Sequence, residues 1–295
     1  MTKLETYEKR IREIAPEFVI TSIHFNSEGL LNDVVIINNE VVFRFPKHEY
    51  AFKHLKDEAR ILRLLRNYIT LETPSPLYEG VDFLAYRLIH GETLRRDILL
   101  RLPVDNQQAV ADQLAQFFKE LHGIPVNEVS DDEIPMADAL MQHEGWLKVY
   151  QRIKEKVFPL LMPYLREWAT EHFESYLTDE RNFQYELRMV DTDIPPYHIM
   201  FDRQRKRING VIDFGCAGLG DPAIDLGVIL YHYGESFVQR FYQVYPEAEA
   251  YLKRARFYAG AQELRWLLTG IERNDTWWFA VHVGSAKDMK YLTGD

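Results

Sequence analysis

The hydrophobic pattern of the chain changes period near residue 90, and that change limits the fold more than any other feature. Before it, apolar residues come in short strand-like runs: Val34-Val-Ile-Ile37, Val41-Val-Phe-Arg-Phe45 and Phe83-Leu-Ala-Tyr-Arg-Leu-Ile89. Asn38-Asn39 separates the first two runs, and Asn tolerates the positive φ that a tight hairpin needs. One amphipathic helix precedes them, with Leu4, Tyr7, Ile11 and Ile14 on a face, and another follows Pro46, with Ala51, Leu55, Glu58, Leu62 and Leu65. After the break at His90-Gly91 the spacing is mainly helical. Val110, Leu114, Phe117, Phe118 and Leu121 form one stripe, which Gly123 is placed to end, and Trp146, Tyr150, Ile153 and Val157 form another, stopped near Pro159. Helical register continues from Leu160 to Leu177 and again through 223–290, with short strands expected at 187–191, 198–202 and 208–212. Strands first and helices later predict an α+β fold of two lobes: residues 1–90 built on an antiparallel sheet, residues 91–295 mostly helical.

Composition narrows the function. The formal net charge is −10, which argues against nucleic acid, whose phosphates require clustered Lys and Arg. The one basic run, Arg203-Gln-Arg-Lys-Arg207, falls where a turn between two strands is expected. An acidic surface can attract a cationic small-molecule substrate, and it serves ordinary solubility equally well. No run of about 18 apolar residues is present, so no membrane span is expected. The first residues are polar and do not read as a secretory leader, and Cys216 is the only cysteine, so a cytoplasmic protein without an internal disulfide is expected.

The chemistry concentrates in Asp191-Thr-Asp193-Ile-Pro-Pro-Tyr-His198 and Ile212-Asp213-Phe-Gly215. Asp193 and Asp213 each follow an apolar strand, where a loop can aim them into one cleft. Asp221-Pro-Ala-Ile-Asp225-Leu then opens a helix. Phosphoryl transfer needs a base for the attacking hydroxyl, oxygen ligands for Mg²⁺ and a cation on the phosphates. Asp193 can be the base and Asp213 the Mg²⁺ ligand, because a hard cation prefers carboxylate oxygen.

These three pieces, in this order and at these spacings, resemble the catalytic core of the aminoglycoside and macrolide antibiotic phosphotransferases, distant relatives of protein kinases. The resemblance covers roughly residues 20–125 and 185–270. It implies a bilobal protein-kinase-like fold, with a nucleotide-binding lobe over 1–90 and a catalytic and substrate-binding lobe over 91–295. It implies ATP or GTP as phosphate donor with Mg²⁺, Asp193 as base, Asp213 as the principal metal ligand and His198 as the secondary one. Arg44, ending a predicted strand, and Glu58, in the next helix, resemble the strand Lys and helix Glu that position phosphates in kinases. An aminoglycoside, a macrolide or a similar antibiotic is then the expected acceptor of the phosphate.

The chain departs from the pattern in four places. Asp191 stands where the family has His, and adds negative charge two residues from the base. His198 stands where most kinases have Asn, as in macrolide kinases. Glu28-Gly-Leu-Leu-Asn32-Asp-Val34 replaces a Gly-x-Gly-x-x-Gly loop. The segment after Asp225 carries a single carboxylate, Glu235, where kinases acting on the 2″ position have an acidic run. Further substrate contacts are expected from Glu263 and Trp266, and Glu272, Trp277 and Trp278 lie in the same region. Two alternatives stay open: a nucleotide-binding protein without useful transfer, and a metabolic kinase for a sugar or amino-alcohol such as choline.

Overall fold

The computed structural model describes residues 2–27, 29, 31–128, 134–137 and 139–274. Helix α1 (Lys3–Ile14) starts at Thr2, whose side chain and that of Glu5 satisfy each other's backbone N–H. Strands β1 (Ile23–Asn26), β2 (Asn32–Ile37) and β3 (Val41–Pro46) follow, then helix α2 (Glu49–Leu65) and strands β4 (Pro76–Gly80) and β5 (Phe83–Arg87). The five strands form one antiparallel sheet in the order β1-β2-β3-β5-β4. Asn38 and Asn39, at φ 54° and 55°, make the β2–β3 turn as expected.

The period of two along β3 decides which way its side chains face. Val41, Phe43 and Phe45 pack with Val35, Ile37 and Ala85 against Ile11 of α1 and Ala15 just beyond it. Val42 faces the other way and joins Leu84, Tyr86 and the α2 residues Leu55, Ala59 and Leu62 in the main core. Arg44 shares the parity of Val42, so it too faces α2.

Beyond the sheet come β6 (Glu92–Thr93), α3 (Arg96–Arg101), α4 (Val104–His122), α5 (His143–Lys156) and α6 (Pro163–Leu177). Four short strands follow: β7 (Arg188–Val190), β8 (Ile199–Asp202), β9 (Arg207–Val211) and β10 (Gly218–Gly220). They pair as β6-β8-β9 and β10-β7. The last elements among the described residues are α7 (Ala223–Tyr233), the short α8 (Glu235–Val238) and α9 (Leu252–Arg273). Packing of α7 on α9 is close, since a Cβ on Gly227 would lie 2.9 Å from that of Tyr258. The main core runs from under the five-stranded sheet through α4 to α7, and a second joins α5, α6 and α9 around Trp146, Phe173 and Phe257. No helix of the described residues is long and apolar enough to cross a membrane.

The α+β architecture is the expected one, an antiparallel sheet followed by a mostly helical region. Several local expectations change. Strands β1 and β4 were not legible, because both alternate half-buried and exposed residues and lack an apolar run. The third expected strand stops at Arg87. The helix expected from Leu160 begins at Pro163, a residue suited to a first helical turn. The region after Tyr233 is broken into short turns before α9. The basic run does lie in the β8–β9 turn, where Arg203 pairs with Glu92. Glu28, Leu30, Trp277, Trp278 and the helix expected over 275–290 lie outside the described residues.

Candidate active site

Asp193 and Asp213 extend from loops that follow β7 and β9, and the two loops are stitched together. The Ile212 N–H donates to the His198 carbonyl at 2.9 Å, and the Thr192 hydroxyl donates to the Cys216 carbonyl at 3.2 Å. Thr192 and Asp213 both have left-handed backbone, at φ 70° and 68°. For a β-branched Thr this is a true outlier, and such residues cost on the order of 1–3 kcal/mol and persist only where neighbours fix them.

Asp225, in the first turn of α7, fixes the first of these loops. Its Oδ1 accepts from Thr192 N at 2.6 Å, and its Oδ2 accepts from Asp191 N at 3.2 Å and lies 2.9 Å from His122 Nε2. The other His122 nitrogen meets the Tyr245 hydroxyl at 3.0 Å. Asp221 anchors α7 to α9: Arg254 grips it with bonds of 2.8 and 3.0 Å, and the Tyr258 hydroxyl adds a third at 3.0 Å. The sequence motifs single out Asp221 and Asp225 but not His122 or Arg254. The Leu-His-Gly ending of α4 was the available signal for His122.

Asp191 is fully buried and no well-formed hydrogen bond reaches either carboxyl oxygen, the backbone of Asp193 being the group that draws its pKa down. Burial raises its pKa well above the usual carboxylate range, and the charges of Asp225, Asp193 and Asp213 push the same way. Asp193 is also raised, by burial first, with His198 opposing.

On the sheet side, Arg44 bridges two carboxylates. One guanidinium nitrogen bonds Glu58 of α2, and the other bonds Asp213 Oδ1 at 3.0 Å. Glu58 also accepts from Phe214 N at 3.3 Å. Burial pushes the Glu58 carboxyl up, to about 7, against the pull of Arg44. Burial alone would raise Asp213 too, but Arg44 and His198 outweigh it and hold it below its usual value.

His198 Nδ1 lies 2.8 Å from the Asp193 carbonyl. A carbonyl can only accept, so Nδ1 carries the proton, and in the neutral ring Nε2 keeps its lone pair. Nε2 faces Asp213 Oδ2 across 3.6 Å: protonated, the ring pairs with that carboxylate, and neutral, its lone pair and Oδ2 can share a cation. No cluster of three or more His, Cys, Asp or Glu suited to a metal occurs among the described residues. Two protein ligands are enough for Mg²⁺, which keeps waters and takes phosphate oxygens as its other ligands.

Arg44, Glu58, Asp193, His198 and Asp213 therefore converge. The residues expected to contact substrate have partners of their own. Glu235, opening α8, is gripped through both oxygens by Arg256, at 2.6 and 2.8 Å. Glu263 of α9 accepts from the Tyr231 hydroxyl of α7, and Glu272 is held by Arg152 and Lys156. Trp266 is half-buried on α9.

Residues 22–264 match the family model described as the phosphotransferase enzyme family. Among curated proteins, viomycin phosphotransferase of Streptomyces vinaceus is 27% identical over 255 residues, 81% of this chain and 83% of that protein. Among solved structures, the GDP complex of wild-type aminoglycoside 2'-phosphotransferase-IIIa is 26% identical with a TM-score of 0.86, covering 99% of this chain and 100% of that one. The GDP and kanamycin complex of APH(2")-IIIa is 27% identical with a TM-score of 0.83, covering 97% and 99%. Macrolide 2'-phosphotransferase type I, at 18% identity and a TM-score of 0.72 over 95% and 96%, shares the fold.

Proposed function

This chain belongs to the phosphotransferase enzyme family, and from that premise we propose that it moves the γ-phosphate of ATP or GTP onto a hydroxyl of a cationic antibiotic, an aminoglycoside or one of similar charge. The observation that supports the reading is the network in which Arg44 joins Glu58 to Asp213 while His198 faces Asp213 and bonds the Asp193 carbonyl.

Asp193 accepts the proton of the acceptor hydroxyl as it attacks. Burial raises its pKa, which makes its carboxylate a stronger base than that of an ordinary aspartate. Arg44 is permanently charged and held in place by Glu58, so it steadies the phosphates without reorganising. Asp213 and His198 Nε2 would hold Mg²⁺, which when bound neutralises developing charge on the phosphate oxygens. Asp225 and His122 keep Asp193 aimed by holding its loop.

The choice of acceptor rests on different support. The net charge of −10 favours a cationic ligand. The neighbour captured with kanamycin and the relative named for viomycin both point to antibiotics. GDP in the two neighbouring complexes supports GTP among the donors.

The test is a nucleotide-consumption assay with ATP and GTP, each with Mg²⁺, over kanamycin, viomycin, a macrolide, choline and simple sugars. Phosphorylated product from kanamycin or viomycin is expected, identified by mass. Turnover of choline or a sugar alone would replace this reading with a metabolic kinase. Nucleotide binding without transfer to any compound would sink it.

A further inference from the structure

Asp213 has left-handed backbone at φ 68°, a region that few residues other than glycine adopt but that Asp enters more readily than most, and the turn after it is held from two sides. Phe214, fully buried, supplies part of the grip from below. Helix α2 supplies the rest through two side chains one helical turn apart and therefore on the same face. Glu58 accepts from Phe214 N at 3.3 Å. His54 Nδ1 lies 2.9 Å from the Gly215 carbonyl. That carbonyl has only lone pairs to offer, so His54 is the donor. Gly215 faces the same two carboxylates, since a Cβ on it would lie in ordinary contact with Asp213 Oδ1 at 3.5 Å and Glu58 Oε2 at 3.8 Å.

We propose that His54 is a positioning residue: through the Gly215 carbonyl it keeps the Asp213 carboxylate in its metal-binding orientation before nucleotide arrives. The inference rests on the reading of Asp213 as a Mg²⁺ ligand. His54 touches neither nucleotide nor acceptor in this scheme. It acts by removing the freedom of the turn to relax away from its left-handed entry. Arg44 reaches Asp213 from the same side, so the sheet and α2 together hold the carboxylate at one oxygen and its backbone at the following two residues.

Two variants separate positioning from bulk. His54→Ala removes the donor, and His54→Asn returns one, because the Asn amide nitrogen stands as many bonds from Cβ as the imidazole Nδ1. Hydrogen exchange of the 213–216 amides is measured in the nucleotide-free protein. Affinity for a non-hydrolysable GTP or ATP analogue is measured with and without Mg²⁺. In His54→Ala we expect faster exchange at the turn, and the Mg²⁺-dependent gain in affinity should fall by roughly three- to tenfold, the size of one net hydrogen bond. Metal-free affinity should stay at the parent value, and His54→Asn should recover most of the loss. Parent-like exchange and a parent-like gain in His54→Ala would overturn the proposal. So would equal losses in Ala and Asn accompanied by a lower melting temperature and unchanged exchange, the mark of a merely structural residue. A parent protein whose nucleotide affinity ignores Mg²⁺ would overturn the metal reading itself, and exchange at the turn would still tell whether His54 holds it.

Discussion

Arg44 and Glu58 meet inside the protein and reach out to a half-exposed Asp213, whereas Glu235 and Arg256 meet at its surface. In the first group Arg44 is 5% exposed and Glu58 1%, and each charge depends on the others. In the second the side chains are 34% and 55% exposed and water is an alternative partner for both. A buried pair broken on one side leaves an uncompensated charge and costs several kcal/mol, while an exposed pair is worth about 0–1 kcal/mol. The side proposed to handle phosphate is thus held by buried charges, and the helices proposed to meet the acceptor carry pairs that water can replace. That division suits an enzyme whose nucleotide is constant and whose acceptor belongs to a varied class.

The largest effect should come from the base. Asp193→Asn keeps the shape of the side chain and removes its proton affinity, so turnover should fall by about 10²–10⁴ with nucleotide affinity nearly unchanged. Steady-state rates beside nucleotide titrations decide it; parent-like turnover would remove Asp193 from the chemistry. The next effect tests the locked side directly. Arg44→Met leaves Glu58 buried without its cation beside a half-exposed Asp213, and should cost about 3–5 kcal/mol of stability in chemical unfolding. A loss within the range of a surface pair would break the contrast between the two regions.

The locked side was also the legible one, for a physical reason. Arg44 and Glu58 are placed by periodicity: a strand of period two aims Arg44 at α2, and one helical face aims Glu58 back. Asp193, His198 and Asp213 are placed by short loops beside paired strands, so their spacing carries their geometry. What escaped is what depends on distant partners. His122 reaches Asp225 across 103 residues of sequence and His54 reaches Gly215 across 161, and no local pattern announces either contact. The pairing of Glu235 with Arg256 and of Glu263 with Tyr231 escaped likewise, because it depends on how α7, α8 and α9 pack.

Asp191 belongs to the locked side but spoils its economy, since its carboxyl is buried and no well-formed hydrogen bond reaches it. A carboxyl whose folded-state pKa is raised above the unfolded value of about 3.9 contributes most below that value, and the contribution is lost as pH rises through the folded pKa. Asp191→Asn should therefore be more stable than the parent at pH 8, by about 1–3 kcal/mol, with the difference shrinking toward pH 4. Urea unfolding of both proteins across that range measures it. A variant less stable than the parent at pH 8 would mean that the Asp191 charge is compensated in the folded protein.

The smallest effect tests the exchangeable side. Arg256 holds the Glu235 carboxyl below its usual pKa through two hydrogen bonds, yet the pair is exposed enough for solvent to replace either partner. Glu235→Gln keeps the shape and one acceptor oxygen while removing the charge. If the acceptor engages this side through several weak and exchangeable contacts, KM for kanamycin or viomycin should rise by no more than about fivefold, equivalent to the upper end for an exposed pair, with turnover unchanged. The same change at Glu263, whose partner is the Tyr231 hydroxyl, should fall in the same range. A rise of a hundredfold at either position would show that the acceptor strips that carboxylate from its partner and buries it on binding. The two sides would then differ only while the cleft is empty, and the bound acceptor would lock its own side as firmly as Arg44 locks the phosphate side.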